Sequence, residues 1–158
     1  MLLRRNTRFT GAQTRDSVAY SDPSSETLRQ LFASVRTIAI VGASTNPARP
    51  VYGVMDYMLR AGYRVIPVNP GQAGREILGE RVYATLADIP EPIDVVDIFR
   101  RQEALAGIVD EALTLRPLPR VIWMQLDLRD EAAAAKAEAA GLTVVMDRCI
   151  KVDHARLM

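Results

Sequence analysis

The segment from Thr37 to Gly53, TIAIVGASTNPARPVYG, is the strongest indication of the fold in this chain. Residues 38–41 are apolar, the pattern of a buried strand, and apolar residues return after residue 50 at helical spacing. Between them lies a turn of small residues, 42–44, through which a diphosphate can approach the backbone. The amino terminus of the helix adds amide hydrogens and partial positive charge, and Arg49 adds a formal charge. The stretch therefore predicts a strand, a turn and a helix that together bind a nucleotide phosphate.

The composition indicates one globular domain that binds a small ligand. The chain has 158 residues, 49% of them hydrophobic and 25% charged, which suits a single compact core. Its 20 basic and 19 acidic residues leave a net charge of +1, so we expect no nucleic-acid partner. Cys149 is the only cysteine and His154 the only histidine, which excludes an internal disulfide and a Cys/His zinc site. We expect no metal.

The first 21 residues differ in composition from the rest of the chain. Residues 1–21 form a predicted flexible polar arm that is rich in arginine and hydroxyl residues, and an organellar transit peptide is the alternative for this segment. Residues 22–158 form the predicted Rossmann-like domain. No apolar run has the length of a membrane span, and residues 1–5 lack the apolar core of a secretory signal. We therefore expect a cytoplasmic protein without a membrane partner.

The rest of the chain alternates between strand and helix patterns. Apolar residues from Leu28 to Val35 predict a first helix, capped at Asp22–Pro23 and packed on a sheet edge. The further predicted strands are 63–68, 93–99, 121–124 and 142–146, with helices at 54–62, 105–113 and 130–141, an extended piece at 81–83 and a helical turn at 86–89. This alternation predicts an α/β fold: a single doubly wound Rossmann-like domain, a parallel sheet of five to six strands with helices on both faces.

The predicted topology selects the residues of the site. In such a sheet the ligand lies beyond the carboxyl ends of the strands, where the strand order reverses on either side of the first strand. The first strand leads there into residues 42–49, the second into Asn69 and Pro70, and the strand across the switch point into Phe99 and Arg100. We expect these three strand ends to converge.

The motifs that the chain lacks reduce the number of candidate nucleotides. The turn is not G-x-G-x-x-G, and residues 68–70 at the end of the second strand carry no acid for a ribose, which disfavours NAD. NADP remains an alternative because Arg75 could meet a ribose phosphate. The P-loop pattern is absent as well, so hydrolysis of a nucleoside triphosphate has no support.

Several ordered segments carry a family resemblance: VGAS at 41–44 with Pro47 and Arg49, GYRVIPVNP at 62–70, IDVVDIFR at 93–100, VIWMQ at 121–125 and VMDRCIK at 145–151. They resemble the small single-domain CoA-binding proteins over most of residues 25–155. That family is similar in fold to the N-terminal CoA-binding domain of the succinyl-CoA synthetase alpha subunit. The resemblance implies coenzyme A as the bound cofactor.

The resemblance also implies roles for particular residues. Residues 42–49 would hold the pyrophosphate, 68–70 would flank the adenine side, 98–100 would lie against pantetheine or diphosphate, and Gln125 would close the far end. The expected cofactor-binding residues are Gly42, Ala43, Ser44, Asn46, Pro47, Arg49, Val68, Asn69, Pro70, Ile98, Phe99, Arg100 and Gln125.

The predicted function is non-catalytic binding of coenzyme A or acyl-CoA, as a sensor, carrier or partner subunit. The synthetase phosphorylates a histidine in a second domain without a counterpart in these residues, and we expect His154 to be solvated. Three alternatives stay open: an NADP-linked oxidoreductase, a non-catalysing subunit of an acyl-CoA ligase, and a ligand-free interaction module. The possible protein partners are a second copy of this chain, in a homodimer, or an acyl-CoA ligase.

Four further residues carry expectations of their own. Cys149 is expected to be a small packing residue, with a mixed disulfide to the CoA thiol as the alternative. Asp97 is expected to be a hydrogen-bonded structural acid. Of the neighbours Arg100 and Arg101, whose side chains diverge, only Arg100 is expected at the phosphates.

Overall fold

The computed structural model describes residues 19–158. Most of the predicted arm, residues 1–18, therefore lies outside the described residues. Tyr20, near its end, is anchored beside the last strand: its hydroxyl donates to the carbonyl of Val144 at 3.0 Å and accepts from the amide of Met146 at 3.1 Å. Burial raises the pKa of Tyr20 to about 12.

A five-stranded parallel sheet forms the centre of the molecule and confirms the predicted fold class. The strands in chain order are β1 (Thr37–Val41), β2 (Arg64–Val68), β3 (Glu76–Ile77), β4 (Glu80–Arg81), β5 (Val95–Ile98), β6 (Val121–Met124) and β7 (Thr143–Val145). The order in the main sheet is β2-β1-β5-β6-β7, with every neighbouring pair parallel. The order reverses at β1, because β2 lies on one side of it and β5 on the other.

In the described part of the chain, five α-helices cover the two faces of this sheet: α1 (Ser25–Ser34), α2 (Pro50–Arg60), α3 (Leu105–Thr114), α4 (Glu131–Ala139) and α5 (Ile150–Leu157). Apolar residues of α3 and α4 join one buried cluster with the sheet, and those of α1, α2 and α5 join the other. Among residues 19–158, no helix is both long and apolar enough to cross a membrane.

A small antiparallel hairpin borders the main sheet along its edge strand β2. β3 and β4 pair with each other, joined by Leu78 and Gly79 at positive φ (51° and 80°). The chain after β4 then bridges to β2: the amide of Tyr83 donates to the carbonyl of Pro67, and the carbonyl of Tyr83 accepts from Asn69. The single extended piece predicted at 81–83 is thus part of a hairpin that covers the β2 edge.

Two predictions about the first helix are wrong. Its cap is Ser24, whose side chain accepts from the amide of Thr27, and not Asp22. The helix also packs on a sheet face, because the ring of Phe32 lies 5.8 Å from that of Trp123, on an interior strand. The apolar spacing located the helix correctly, but such spacing does not say which part of the sheet a helix covers.

The segment after β7 is a helix, and the prediction of a solvated His154 is wrong. His154 lies on α5 and is partly buried among the rings of Phe32, Tyr57 and Tyr63, with ring centroids 5.1 to 5.5 Å from its own. Its Nδ1 is 2.8 Å from the Tyr57 hydroxyl. Burial lowers the pKa of His154.

Candidate functional site

A cleft of about 760 Å³ lies at the carboxyl end of the sheet, over the point where the strand order reverses. The residues that follow β1, β2, β5 and β6 meet there, as the topological rule predicts. The lining residues are Gly42, Ala43, Ser44, Arg49, Pro50, Val51, Val54, Asn69, Gln72, Phe99, Arg100, Arg101, Gln125, Leu126, Asp127, Leu128 and Cys149.

The cleft brings together many of the predicted site residues, namely Gly42, Ala43, Ser44, Arg49, Asn69, Phe99, Arg100 and Gln125. Five others lie outside its lining. Val68 and Ile98 are buried strand residues, with 3% and 0% of their surface exposed. Asn46, Pro47 and Pro70 are exposed on the loops beside the cleft. Contact between these five side chains and a ligand remains a prediction.

Gly42 has a specific steric reason to be glycine. Its φ of 89° lies in the region that side chains rarely adopt. A Cβ atom there would stand 2.8 Å from the carbonyl carbon of Phe99 and closer still to its oxygen. The glycine therefore lets the loops after β1 and β5 approach each other, which forms the floor of the cleft.

The backbone amides of the turn are mostly occupied by the protein itself. The amides of Gly42 and Ala43 donate to the carbonyl of Val68, at 2.9 and 3.3 Å. The amide of Thr45 donates to the side chain of Gln72 at 3.1 Å. These three amides of the turn are therefore already paired, so an anion at the turn depends more on side chains and on the amino terminus of α2.

Two polar side chains organise the turn. The hydroxyl oxygen of Ser44 accepts from the amide of Asn46 at 3.1 Å, which leaves the hydroxyl hydrogen available to a ligand. Asn69 joins the loops after β1 and β2, since its Nδ2 donates to the carbonyl of Ala43 at 2.8 Å and its Oδ1 accepts from Gly71 at 2.9 Å. Asn69 therefore shapes the cleft wall with its polar atoms already paired.

The formal charges in the lining favour an anion. Arg49, Arg100 and Arg101 are exposed side chains of the lining, against one carboxylate, Asp127. Within residues 19–158, none of these three arginines has a carboxylate oxygen within 4.0 Å. Arg101 lines the cleft beside Arg100, so both adjacent arginines are available there, and the expectation that only Arg100 contacts the phosphates stays a prediction.

The residues after β6 add two leucines and one carboxylate to the lining. Leu126 and Leu128 flank Asp127 in the chain, and Cys149 also lines the cleft, half-buried instead of fully packed in the core. Gln125 is 5% exposed, and its Oε1 accepts from the amide of Ile150 at 3.1 Å. Gln125 thus connects the end of β6 to the start of α5 and holds Cys149 at the cleft.

Nine lining residues were not among the predicted site residues: Pro50, Val51, Val54, Gln72, Arg101, Leu126, Asp127, Leu128 and Cys149. Residues 126–128 follow β6, and the same topological rule, applied to one more strand, would have found them. Cys149 was considered only as a packing residue or a reactive thiol, because its place in the cleft depends on contacts with β6. There the indole nitrogen of Trp123 donates to the carbonyl of Arg148 at 2.8 Å.

Asp97 differs from its prediction. It lies on β5 between Ile40 and Trp123, and its side chain is fully buried. Neither carboxylate oxygen has a hydrogen-bond partner among the described residues, so the expected structural hydrogen bond is absent there. Burial raises its pKa well above the ordinary value for aspartate. Burial thus favours the neutral form of this carboxyl, which lies two residues before Phe99 of the cleft.

Within the part of the chain that the structure describes, no group of three or more His, Cys, Asp or Glu side chains is placed to hold a metal ion. The titratable groups of the cleft are three arginines, Asp127 and Cys149. Such a set can bind and orient an anionic ligand with an apolar part.

Comparison with known proteins shows what this architecture is similar to. An uncharacterized protein of Bacillus subtilis (strain 168), YneT, is 41% identical over 135 residues, which are 85% of this chain and 96% of YneT. The structure of cell-free ID.343 from Thermus thermophilus has a TM-score of 0.81 at 40% identity, covering 86% of this chain and 100% of that chain.

A more distant relative has a ligase name. The alpha subunit of an ADP-forming acetate–CoA ligase I from Pyrococcus furiosus is 28% identical over 80 residues, 48% of this chain but 17% of that subunit. A family model described as a CoA binding domain matches residues 36–155. Because this match spans most of the chain and the Bacillus relative is 41% identical over nearly its whole length, the chain belongs to the CoA-binding domain family.

Proposed function

We propose that this chain binds coenzyme A, free or acylated, in the cleft at the switch point, and that it does so as a sensor, carrier or partner subunit without chemistry of its own. One observation carries the proposal: a cleft of about 760 Å³ with cationic side chains near the β1 turn and apolar ones beyond β6, in a member of this family. Coenzyme A has the same polarity, with phosphates in one part and an uncharged thiol arm in the other.

The residues present fit the phosphates. Arg49 lies at the start of α2, next to the turn, and Arg100 and Arg101 approach from β5 across the switch point. Guanidinium groups bind phosphate oxygens in pairs of hydrogen bonds, and the Ser44 hydroxyl can add another. The missing side chain at Gly42 lets the loop after β5, which carries Arg100, approach the β1 turn.

The alternatives receive different support. An NADP-linked oxidoreductase depended on Arg75, which is exposed and does not line the cleft. A role as the CoA-binding subunit of an acyl-CoA ligase is favoured by the named Pyrococcus relative and remains the second candidate. In that case the chain would act with a separate catalytic partner. In either role the single cysteine suits a reducing compartment such as the cytoplasm.

Calorimetric titration of the purified chain, stripped of ligand by unfolding and refolding, tests the proposal. Coenzyme A, NADP and NAD are titrated in parallel. We expect selective binding of coenzyme A at micromolar concentration or below. Preference for NADP, or no binding of any of the three, would overturn the proposal.

The variant Arg49→Ala tests the site itself. It should weaken binding of coenzyme A by about 1.5 to 3 kcal/mol, the range for hydrogen bonds to charged groups. The control is Arg60→Ala on the same helix, whose partner is Asp56 at 3.1 Å and which lies outside the cleft lining. Equal affinities for the two variants would remove Arg49 from the site.

A further inference from the structure

We propose that the cleft continues into a second groove that receives the acyl group of an acyl-CoA, so that thioesters with an uncharged, apolar acyl chain bind more tightly than free coenzyme A. This inference rests on the proposed function and makes it specific to one ligand class. It assigns a second binding site, which we call the side groove, to residues between β6, β7 and the first turn of α5.

The side groove adjoins the cleft directly. It has a volume of about 380 Å³ and includes Met146, Arg148 and Val152 in its lining. Leu126 and Cys149 line both cavities, so they form the boundary between the two. A ligand that extends from the β1 turn past Gln125 therefore reaches this boundary with its end opposite the phosphates.

The surface of the side groove is apolar where it meets the cleft. Leu126 is 60% exposed and Val152 is 59% exposed, two of the four large hydrophobic side chains that are exposed among residues 19–158. Leu126 lines both cavities, and Val152 lies in the first turn of α5, three residues after Cys149, so the side groove offers apolar surface to a group that passes the boundary. Covering such surface with an alkyl chain is favourable in proportion to the area removed from water.

The two arginines that line the side groove already have carboxylate partners. The guanidinium of Arg148 forms two hydrogen bonds with Asp153, at 2.6 and 2.7 Å. Arg129 lies 3.4 Å from Glu131 and over the ring of Tyr20.

The carboxylates of the side groove disfavour a second anion. Asp147 accepts from the amide of Asp127 at 2.7 Å. The lining contains the carboxylates Asp22, Asp147 and Asp153 against two arginines, both already beside a carboxylate. An acyl group with a carboxylate of its own would meet net negative charge there, so the groove selects an uncharged chain.

Titrations of the stripped protein with coenzyme A, hexanoyl-CoA and succinyl-CoA test the inference. At about 0.8 kcal/mol for each buried methylene, burial of two to three methylenes makes hexanoyl-CoA bind about ten- to fiftyfold more tightly than coenzyme A. Succinyl-CoA should show no such gain. We define the acyl effect as the affinity for hexanoyl-CoA divided by the affinity for coenzyme A. The contributions of the contacts that both ligands make cancel in this ratio.

The variant Val152→Asp places a carboxylate in the side groove and should reduce this ratio to about one, with the affinity for coenzyme A unchanged. Met158→Asp is the matched control, because Met158 adjoins the end of the same helix, is 56% exposed and lines neither cavity. The control should keep the wild-type ratio.

The outcomes separate this inference from the proposed function. If coenzyme A binds and hexanoyl-CoA binds no more tightly, the inference is overturned while the proposed function stands. A ratio that survives Val152→Asp, or a gain for succinyl-CoA, also overturns it. If neither ligand binds the wild-type protein, both proposals fail together.

Discussion

The neutral carboxyl of Asp97 should make the stability of this protein fall as the pH rises. Asp97 has no exposed surface and no hydrogen-bond partner among the described residues, and burial raises its pKa well above the ordinary value. In the unfolded chain the same carboxyl releases its proton near its usual pKa of about 3.9. Between these two values the folded state keeps a proton that the unfolded state loses, so rising pH favours unfolding.

The size of the effect follows from this difference in proton binding. The contribution of Asp97 to the free energy of unfolding is fully present below the unfolded pKa. It is then lost by about 1.4 kcal/mol for each pH unit until the folded pKa is reached. The variant Asp97→Asn has nearly the same shape and cannot ionise. Relative to the wild type its free energy of unfolding should rise by about 1.4 kcal/mol for each pH unit above the unfolded pKa, for as long as the wild-type carboxyl stays protonated in the fold.

Urea unfolding of both proteins across this pH range measures the effect. The fluorescence of Trp123, the single tryptophan, reports the transition, since this side chain is 2% exposed and lies beside Asp97 on the sheet. All other titrating groups are common to the two proteins and cancel in the difference. Parallel pH profiles would contradict this prediction, because they would mean that Asp97 is ionised in the folded protein and has a partner.

Two further predictions concern the scaffold. Gly42→Ala should destabilise the protein by more than about 2 kcal/mol in urea unfolding, because the φ of 89° and the Phe99 carbonyl both oppose a side chain. Gly53→Ala, with nothing within 4 Å of the new Cβ in the middle of α2, should instead stabilise by about 0.5 to 1 kcal/mol, and similar effects of the two changes would contradict this account. Tyr57→Phe removes the 2.8 Å hydrogen bond to His154 and should cost about 1 kcal/mol in thermal unfolding. The control Tyr52→Phe on the same helix should cost less, and equal losses would show that the bond to His154 contributes nothing.

The main chain of the site was predictable from the sequence because its signals are local. The apolar run of β6 predicted its bounds of Val121–Met124 correctly, and the small residues after β1 indicated the turn with Gly42 at its sharpest point. Once the strands were placed, the rule for parallel sheets located the cleft without knowledge of any side-chain contact. This rule alone predicted the position of Phe99 and Arg100, which line the cleft.

The alternation of strands and helices is readable in the chain, because the spacing of apolar residues follows from the geometry of each element. Which side chains come into contact across the fold depends on the three-dimensional packing of these elements. The return of α5 across β6, held by Gln125 and Trp123, places Cys149 in the cleft and creates the side groove. The isolation of the Asp97 carboxyl likewise depends on what the neighbouring strands and the covering helices present to it. Such contacts join residues far apart in the chain, and a pattern within one segment carries no information about its partner.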